Sequence, residues 1–209
     1  MTAPRRAPRR AAGFTLIEVL VALLLGAGVS TTVLWFTRTQ FFTLEDQARQ
    51  LDLQTTSRAM VDLFAREVRR AGMDPQCTKA FEGLAEASTT RVRVLADLNL
   101  NGVLDAASED LAYHIVAPDR IERGAGPTTE VLVDGVQVTG SRLRYYDGGG
   151  VELAPGAGLS AAQRAQVRRV RLELAVSTPS LNPEHLLTAR VATDVELRNR
   201  FFVASTGCP

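Results

Sequence analysis

The sequence predicts an α+β fold in which one long N-terminal helix packs on a C-terminal antiparallel β-sheet domain. Three observations predict this fold. Residues 14–36 form a single apolar run that is long enough to span a membrane. The apolar residues then recur with helical spacing up to Ala71. From residue 89 onward, apolar and polar residues alternate with the two-residue period of a β-strand.

The overall composition conceals an uneven distribution of charge along the chain. The 209 residues carry 24 Lys and Arg against 23 Asp and Glu, and the mean hydropathy is +0.01. This profile excludes a collagen, a wholly disordered chain and a polytopic membrane protein. Residues 1–13 hold four arginines and no acid, and without them 20 basic and 23 acidic side chains remain, a net charge of −3. The near-neutral balance therefore combines a basic N-terminal segment with a mildly acidic remainder.

The N-terminus has the layout of a membrane-insertion signal. The basic leader, residues 1–13, precedes the apolar residues 14–36, and arginines stay on the cytoplasmic side of a membrane. We therefore expect a single-pass inner-membrane protein whose C-terminal domain lies in the periplasm. An ordinary secretory signal fits less well, because the apolar run exceeds the usual length of about 7–15 residues and no A-x-A site follows it. Glu18, the one charge in this run, costs about 2.5–3.5 kcal/mol there and is a functional candidate.

The segment from Gly13 to Glu18, GFTLIE, resembles the prepilin cleavage and methylation motif of type IV pilins and type II secretion pseudopilins. The resemblance implies a pilin-like fold and a prepilin peptidase that cuts between Gly13 and Phe14 and then methylates Phe14. It also implies that Glu18 pairs with the N-terminal amine of a neighbouring subunit during assembly. This amine is a suitable partner for a carboxylate in an apolar span.

The first helix is predicted to run from about Phe14 to Ala71. Residues 14–36 form its transmembrane half and residues 37–72 its amphipathic half, in which no Gly or Pro appears before Gly72. The predicted apolar stripe comprises Leu44, Ala48, Leu51, Leu53, Met60, Phe64, Val68 and Ala71. Two glycines in the span, Gly26 and Gly28, either weaken the helix locally or allow close helix packing.

Residues 73–209 are predicted to form a β-rich domain of seven or eight short strands without intervening helices. One sheet face is expected to pack on the amphipathic half-helix, and the other to be Arg-rich and solvated. Asp134-Gly135 predicts a hairpin that joins residues 130–133 to residues 136–138. The strongest alternating runs are residues 91–94, 111–115, 143–146, 167–176 and 188–197.

Several phrases beyond the N-terminus resemble the PilW-like family of minor pilins. They are the helix end at residues 64–72, the Asp97 loop followed by residues 109–113, and the late strand at residues 195–200. The resemblance implies a minor pilin that helps to initiate or cap a type IV pilus. J-type minor pseudopilins of type II secretion share the same ground plan and are the alternative. A subunit that binds DNA or surfaces is a third, less favoured alternative.

Cys77 and Cys208 are the two cysteines of the chain. Both lie on the exported side of the predicted span, and an even pair in an oxidising compartment favours a disulfide. Two separate thiols are the alternative. The pair lacks CxxC spacing, so it makes a poor zinc site.

A second polar motif lies between the first predicted strands. Asp97, Asn99 and Asn101 precede Gly102 in the pattern D-x-[DN]-x-[DN]-G, which begins a calcium loop. Asp105 would continue the ligand set, and Glu109 would have to replace the usual acid at position twelve, which is Ser108. Two neutral amides lower the expected affinity, and Asn-Gly also forms plain hairpin turns. A weak structural calcium site is therefore one of two alternatives, and we expect no other cofactor.

The sequence contains no P-loop, no G-x-S-x-G and no H-E-x-x-H, so we do not expect an enzyme. His114 and His185 belong to no recognised catalytic pattern. Two clusters, residues 142–144 and 168–171, could form a basic patch, but we expect arginines alternating on a solvated face and no nucleic-acid partner. The expected partners are prepilin peptidase, other minor and major pilins, the inner-membrane assembly platform and the membrane itself. After assembly the protein is expected in a pilus at the cell surface.

Overall fold

The computed structural model describes residues 13–76, 81–105, 108–181 and 185–199. The chain divides into two compact units, one that ends at Glu45 and one that begins at Asp46. The first helix, α1 (Leu16–Val68), contributes residues to both units. The remaining elements belong to the second unit, so the predicted α+β class is confirmed.

In the first unit, α1 is apolar and its side chains are exposed. Its hydroxyl side chains donate hydrogen bonds back to carbonyls four residues earlier, as Thr31 does to Ala27 at 2.8 Å and Thr37 does to Val33 at 2.8 Å. Such bonds satisfy the hydroxyls without water, as a lipid environment requires. The positions of Gly26 and Gly28 have no neighbour within 4 Å where a Cβ would stand.

In the second unit, α1 buries one face against the sheets. Of the predicted stripe, Met60, Phe64, Val68 and Ala71 are buried and Leu53 is partly buried against the same core. The prediction is wrong for the part of the stripe on the N-terminal side of Leu53. Ala48 is exposed and Leu51 is 64% exposed, because within this unit the buried face of the helix begins only near Leu53.

The helix ends at Val68, three residues earlier than predicted, and a short turn follows. Gly72 adopts a positive φ of 76°, and its amide donates to the Leu95 carbonyl at 2.8 Å. Gly83 packs so closely on this turn that a Cβ there would lie 2.6 Å from the Gly72 nitrogen. Two glycines therefore allow the helix end to join the first sheet.

The described part of the second unit forms two antiparallel sheets. The first is a meander in the order β1-β2-β3-β4-β5, and the second has the order β7-β6-β8-β9. The strands of the first sheet are β1 (Leu84–Ala87), β2 (Arg91–Leu95), β3 (Asp110–Val116), β4 (Arg120–Ala125) and β5 (Thr128–Asp134). Those of the second are β6 (Arg142–Tyr146), β7 (Glu152–Leu153), β8 (Arg169–Pro179) and β9 (Leu186–Glu196). Both sheets and α1 contribute to one hydrophobic core, in which Phe64, Tyr145 and Leu197 are fully buried.

Two predictions about the β-rich domain are wrong. The hairpin across Asp134-Gly135 does not form. Instead, Val136 bridges to Val176 of β8 and thereby links the two sheets, and Val138 begins a short 3₁₀ turn (Val138–Gly140). A helix also intervenes between the strands, α2 (Ala161–Gln166), which begins with a capping box between Ser160 and Gln163.

Candidate processing and assembly site

The predicted cleavage site lies just outside the first turn of α1. Gly13, Phe14 and Thr15 are not helical, and the Phe14 side chain is 87% exposed. The helix begins at Leu16 because Thr15 and Glu18 cap it. The Gly13–Phe14 peptide bond therefore lies outside the helix.

Thr15 and Glu18 form a capping box. The Thr15 amide and hydroxyl donate to Oε2 of Glu18 at 3.0 and 2.9 Å, and the Glu18 amide donates to the Thr15 hydroxyl at 3.4 Å. This pairing satisfies two of the donors that a helix N-terminus leaves open. Within the described residues, Oε1 of Glu18 accepts no hydrogen bond, so it can accept one from an amine of another chain.

The helix that carries this site is long and apolar enough to cross a membrane. Its most apolar window has a mean hydropathy of 2.1 and is not buried within the chain. Length and composition support membrane anchoring, and the N-terminal position alone would also suit a signal sequence. The residues in front of the helix distinguish the two cases.

Comparison with known families gives one match. The model of the prokaryotic N-terminal methylation motif matches residues 8–32. The chain carries a prepilin N-terminus. This prepilin motif supports a type IV pilin-like protein, either a pilin or a pseudopilin, that is processed by prepilin peptidase and associates with the membrane through α1. Because the match covers the N-terminal motif and not the β-rich unit, it does not distinguish between branches of the family. No curated protein and no solved structure shows significant similarity to the chain.

The second predicted site, the calcium loop, brings its five residues together as a hydrogen-bonded loop. Asp97 and Glu109 are buried, with 0% and 1% of their surface exposed. Asp97 accepts bonds from the amides of Leu100, at 2.7 Å, and Gly102, at 2.9 Å. Glu109 accepts bonds from the amides of three residues of the same loop: Leu98, Asn99 and Asp105. The bond from Asp105 is the main reason that the pKa of Glu109 lies below its usual value.

Three further side-chain oxygens of this loop also accept hydrogen bonds. Oδ2 of Asp105 accepts from the side-chain amides of Asn99 and Asn101, at 2.5 and 3.4 Å, and the amide oxygens of both asparagines accept backbone bonds. Among the residues that the structure describes, no group of three or more His, Cys, Asp or Glu side chains is placed to hold a metal. The calcium site therefore stays a prediction. Calorimetric titration with calcium tests it, and absence of both heat and a rise in melting temperature would remove it.

The arginines of the second sheet form ion pairs with neighbouring acidic side chains. Arg142 and Arg144 both bind Glu173, at 2.7 and 3.3 Å, and Arg171 bridges Glu173 and Asp194, at 3.1 and 3.0 Å. Arg169 stacks over the Tyr146 ring with its guanidinium carbon 4.4 Å from the ring centroid. Acids on β8 and β9 thus compensate the charge of arginines that form clusters in the sequence.

Cys77 and Cys208 lie outside the described residues, so the disulfide stays a prediction.

The capping role of Thr15 was not predicted from the sequence, although the spacing T-x-x-E before an apolar run is a visible capping-box signal. The contact of Asp46 was not predicted either: its carboxylate accepts hydrogen bonds from the Ser180 hydroxyl at 2.6 Å and from the Leu181 amide at 2.9 Å. No sequence signal relates positions so far apart in the chain.

Proposed function

We propose that this chain is a minor pilin of a type IV pilus, a structural subunit and not an enzyme, that initiates or caps pilus assembly. The observation that carries the proposal is the methylation motif at residues 8–32, which lies directly before and within an exposed apolar helix. The compact β-rich unit that begins at Asp46 supplies a head that can contact other subunits.

In the proposed mechanism, α1 holds the precursor in the inner membrane with the head in the periplasm. Prepilin peptidase cuts between Gly13 and Phe14, and the new amine of Phe14 is methylated. Oε1 of Glu18 then accepts a charge-assisted hydrogen bond from the amine of a neighbouring subunit. In an apolar filament core, such a pairing removes the cost of two isolated charges and fixes the axial position of the incoming helix.

Processing and assembly are separable in variants. Gly13→Ala should leave the leader attached, because the peptidase of this family cuts after glycine. Glu18→Gln should be cleaved normally but fail to assemble, because the neutral amide cannot compensate the amine charge. Thr32→Val serves as the matched control, since its hydroxyl donates only to the Gly28 carbonyl of its own helix, at 3.0 Å. Normal trimming of Gly13→Ala, or wild-type piliation by Glu18→Gln, would contradict this mechanism.

A J-type minor pseudopilin of a type II secretion system is the second candidate, because the same motif serves both machines. The phrases that resemble the PilW-like family favour the pilus. Deletion of the gene decides between them. Loss of surface pili with normal protein secretion supports the minor pilin, whereas lost secretion with intact pili supports the pseudopilin.

A DNA-binding role is disfavoured by the paired arginines of the second sheet. Nucleic-acid affinity depends on cations that can neutralise phosphates and release counterions. Arg142, Arg144 and Arg171 already bind acids. A gel shift with the soluble part should therefore show no salt-dependent binding of DNA, and a shift that salt abolishes would revive this role.

A further inference from the structure

Aromatic side chains surround an arginine where the apolar run of α1 ends, within the first unit. Trp35 lies three residues before Arg38, and Phe41 and Phe42 lie three and four residues after it, so all are its neighbours on the helix surface. We call these four residues the aromatic cluster. The exposed fractions are 70% for Trp35, 68% for Phe41 and 44% for Phe42. Exposed rings grouped in this way indicate a contact with something outside the described chain.

Arg38 stacks on one of these rings and leaves its hydrogen-bond donors unused. Its guanidinium carbon lies 5.4 Å from the centroid of the Phe42 ring, within cation–π distance. Among the residues that the structure describes, this guanidinium makes no hydrogen bond or ion pair. A guanidinium offers five N–H donors in a planar fork that fits the oxygens of a phosphate. The aromatic cluster therefore presents both an anion-binding group and an apolar surface.

The aromatic cluster lies about one hydrocarbon thickness from the start of the helix. From Leu16 to Trp35 the helix rises about 28 Å, and the hydrocarbon core of a bilayer is about 30 Å thick. Aromatic rings are enriched at the boundary between hydrocarbon and headgroups, where a long cationic side chain also reaches the phosphates. Helical side chains point back toward the N-terminus, so the rings of Phe41 and Phe42 lie close to the level of Arg38.

The hydroxyl side chains around the aromatic cluster suit this position. Thr37, Thr39 and Thr43 donate hydrogen bonds to carbonyls of their own helix, at 2.8, 3.0 and 3.0 Å, so these hydroxyls need no water. We propose that the aromatic cluster anchors α1 in the headgroup layer at the C-terminal end of the span, with the Arg38 guanidinium bound to a phospholipid phosphate. The proposal needs only the membrane association of α1, so it is the same for a pilin and a pseudopilin.

This anchor fixes the depth of α1 and, with it, the depth of Glu18. Glu18 precedes Trp35 by 17 positions, so it lies about 25 Å from the anchor, near the opposite edge of the hydrocarbon core and not at its centre. Water and headgroups reach a carboxylate near that edge, which lowers the cost of its insertion. In the proposed assembly mechanism, the anchor thus holds Glu18 at a tolerated depth until a neighbouring subunit supplies its amine.

Trp35 is the only tryptophan of the chain, so its fluorescence reports the depth of the aromatic cluster. The full-length precursor is reconstituted in vesicles of phosphatidylcholine and phosphatidylglycerol, with lipids brominated either close to the headgroup or close to the chain ends. The bromines close to the headgroup should quench Trp35 about twofold more strongly than those at the chain ends. In the matched control, Trp35→Phe with Leu24→Trp, the single tryptophan lies about 16 Å away in mid-span, and the order should reverse.

Two results of this measurement would overturn the anchor. Equal or stronger quenching of Trp35 by chain-end bromines would place the membrane boundary elsewhere on the helix. Quenching by neither lipid would show that another chain covers the ring, so the contact would be with a second subunit and not with lipid. Neither result bears on cleavage between Gly13 and Phe14, which is read from the mature N-terminus.

The phosphate contact has its own measurement. The guanidinium carbon of every arginine is labelled with an NMR-active isotope, and solid-state NMR records how strongly lipid phosphorus dephases this signal in the same vesicles. Arg38→Lys removes one labelled carbon but keeps the positive charge, and the dephased signal should fall. Arg58→Lys, at an exposed position of α1 in the second unit, is the matched control and should leave it unchanged. An equal dephased signal in wild type and Arg38→Lys would overturn the bond between Arg38 and the phosphate.

Discussion

The Glu67 carboxylate on α1 binds the Arg123 guanidinium on β4 through two parallel hydrogen bonds of 2.7 and 2.9 Å. The Tyr113 hydroxyl on β3 donates to the same carboxylate, and the Tyr113 ring meets Phe64 edge to face, with the ring centroids 5.1 Å apart. Glu67 and Arg123 are mostly buried, with 13% and 20% of their side chains exposed. A bidentate pair in this setting fixes both the rotation and the height of the helix on the first sheet.

Removal of one partner of this pair should destabilise the head strongly. Arg123→Ala leaves Glu67 with a poorly compensated charge, and we expect a loss of about 2–4 kcal/mol in the free energy of unfolding of residues 46–209. Urea denaturation measures it. Arg91→Ala is the matched control, since Arg91 and its partner Glu86 are 44% and 43% exposed and such pairs contribute about 0–1 kcal/mol. Equal losses in the two variants would contradict the role of the pair.

The buried face of α1 gives a second prediction. Phe64 is fully buried, and Phe64→Ala should cost about 3–5 kcal/mol because it removes the ring and leaves a cavity. Leu51 lies on the same helix but is 64% exposed, and Leu51→Ala should change stability by less than about 0.5 kcal/mol. The same urea series compares them. A large loss in Leu51→Ala would restore the longer apolar stripe that the sequence predicted.

Glu109 should make the stability of its loop depend on pH. Its pKa lies below the ordinary value of 4.5, chiefly because the Asp105 amide donates to it. A lowered folded-state pKa stabilises the fold fully above the unfolded value, and this stabilisation is lost as the pH falls through the folded value. Glu109→Gln should cost about 1–3 kcal/mol at pH 7, because its amide nitrogen faces a backbone donor.

The difference between wild type and Glu109→Gln should then shrink as the pH falls below about 4.5, where the carboxyl becomes neutral as well. Thermal unfolding between pH 7 and pH 3 records it. Asp134→Asn, at the exposed end of β5, is a suitable control for general acid effects. A difference that stays constant over the whole range would show that the charge of Glu109 does not stabilise the loop.

Thr15 should matter for assembly through the position of Glu18. Thr15→Val keeps the shape of the side chain but removes the hydroxyl that bonds to Oε2, so the carboxylate loses its fixed direction. We expect Thr15→Val to reduce the amount of assembled subunit, and Thr15→Ser, which keeps the hydroxyl, to preserve it. Quantitative blotting of sheared filaments measures the effect. Full assembly of Thr15→Val would leave Glu18 independent of the cap.

The sequence predicts local features of this chain well and distant contacts poorly. The apolar run, the helical spacing from Leu53 to Ala71 and the alternation in β2, β3, β6, β8 and β9 are periodic signals within single elements. The hairpin that was predicted at Asp134-Gly135 does not form, and it shows the limit of such local signals. That turn pattern is local, but Val136 pairs with Val176, forty residues away, because β8 offers it a ladder.

The candidate sites show the same limit. The GFTLIE motif is contiguous, so the sequence indicates it directly. The contacts between Glu67 and Arg123 and between Asp46 and Ser180 join residues separated by 56 and 134 positions. Neither separation produces a period or a motif. Likewise, the sequence does not indicate which acids pair with the arginine clusters, because Glu173 and Asp194 lie far from Arg142 and Arg171, respectively, in the chain.

The proposed function depends most directly on the processed N-terminus. Mass spectrometry of the protein from cells with an active prepilin peptidase should identify Phe14 as the first residue, with one added methyl group on its amine. Cells without the peptidase should retain residues 1–13. A mature chain that begins elsewhere, or an intact leader in the presence of the peptidase, would contradict the assignment of this chain as a pilin subunit.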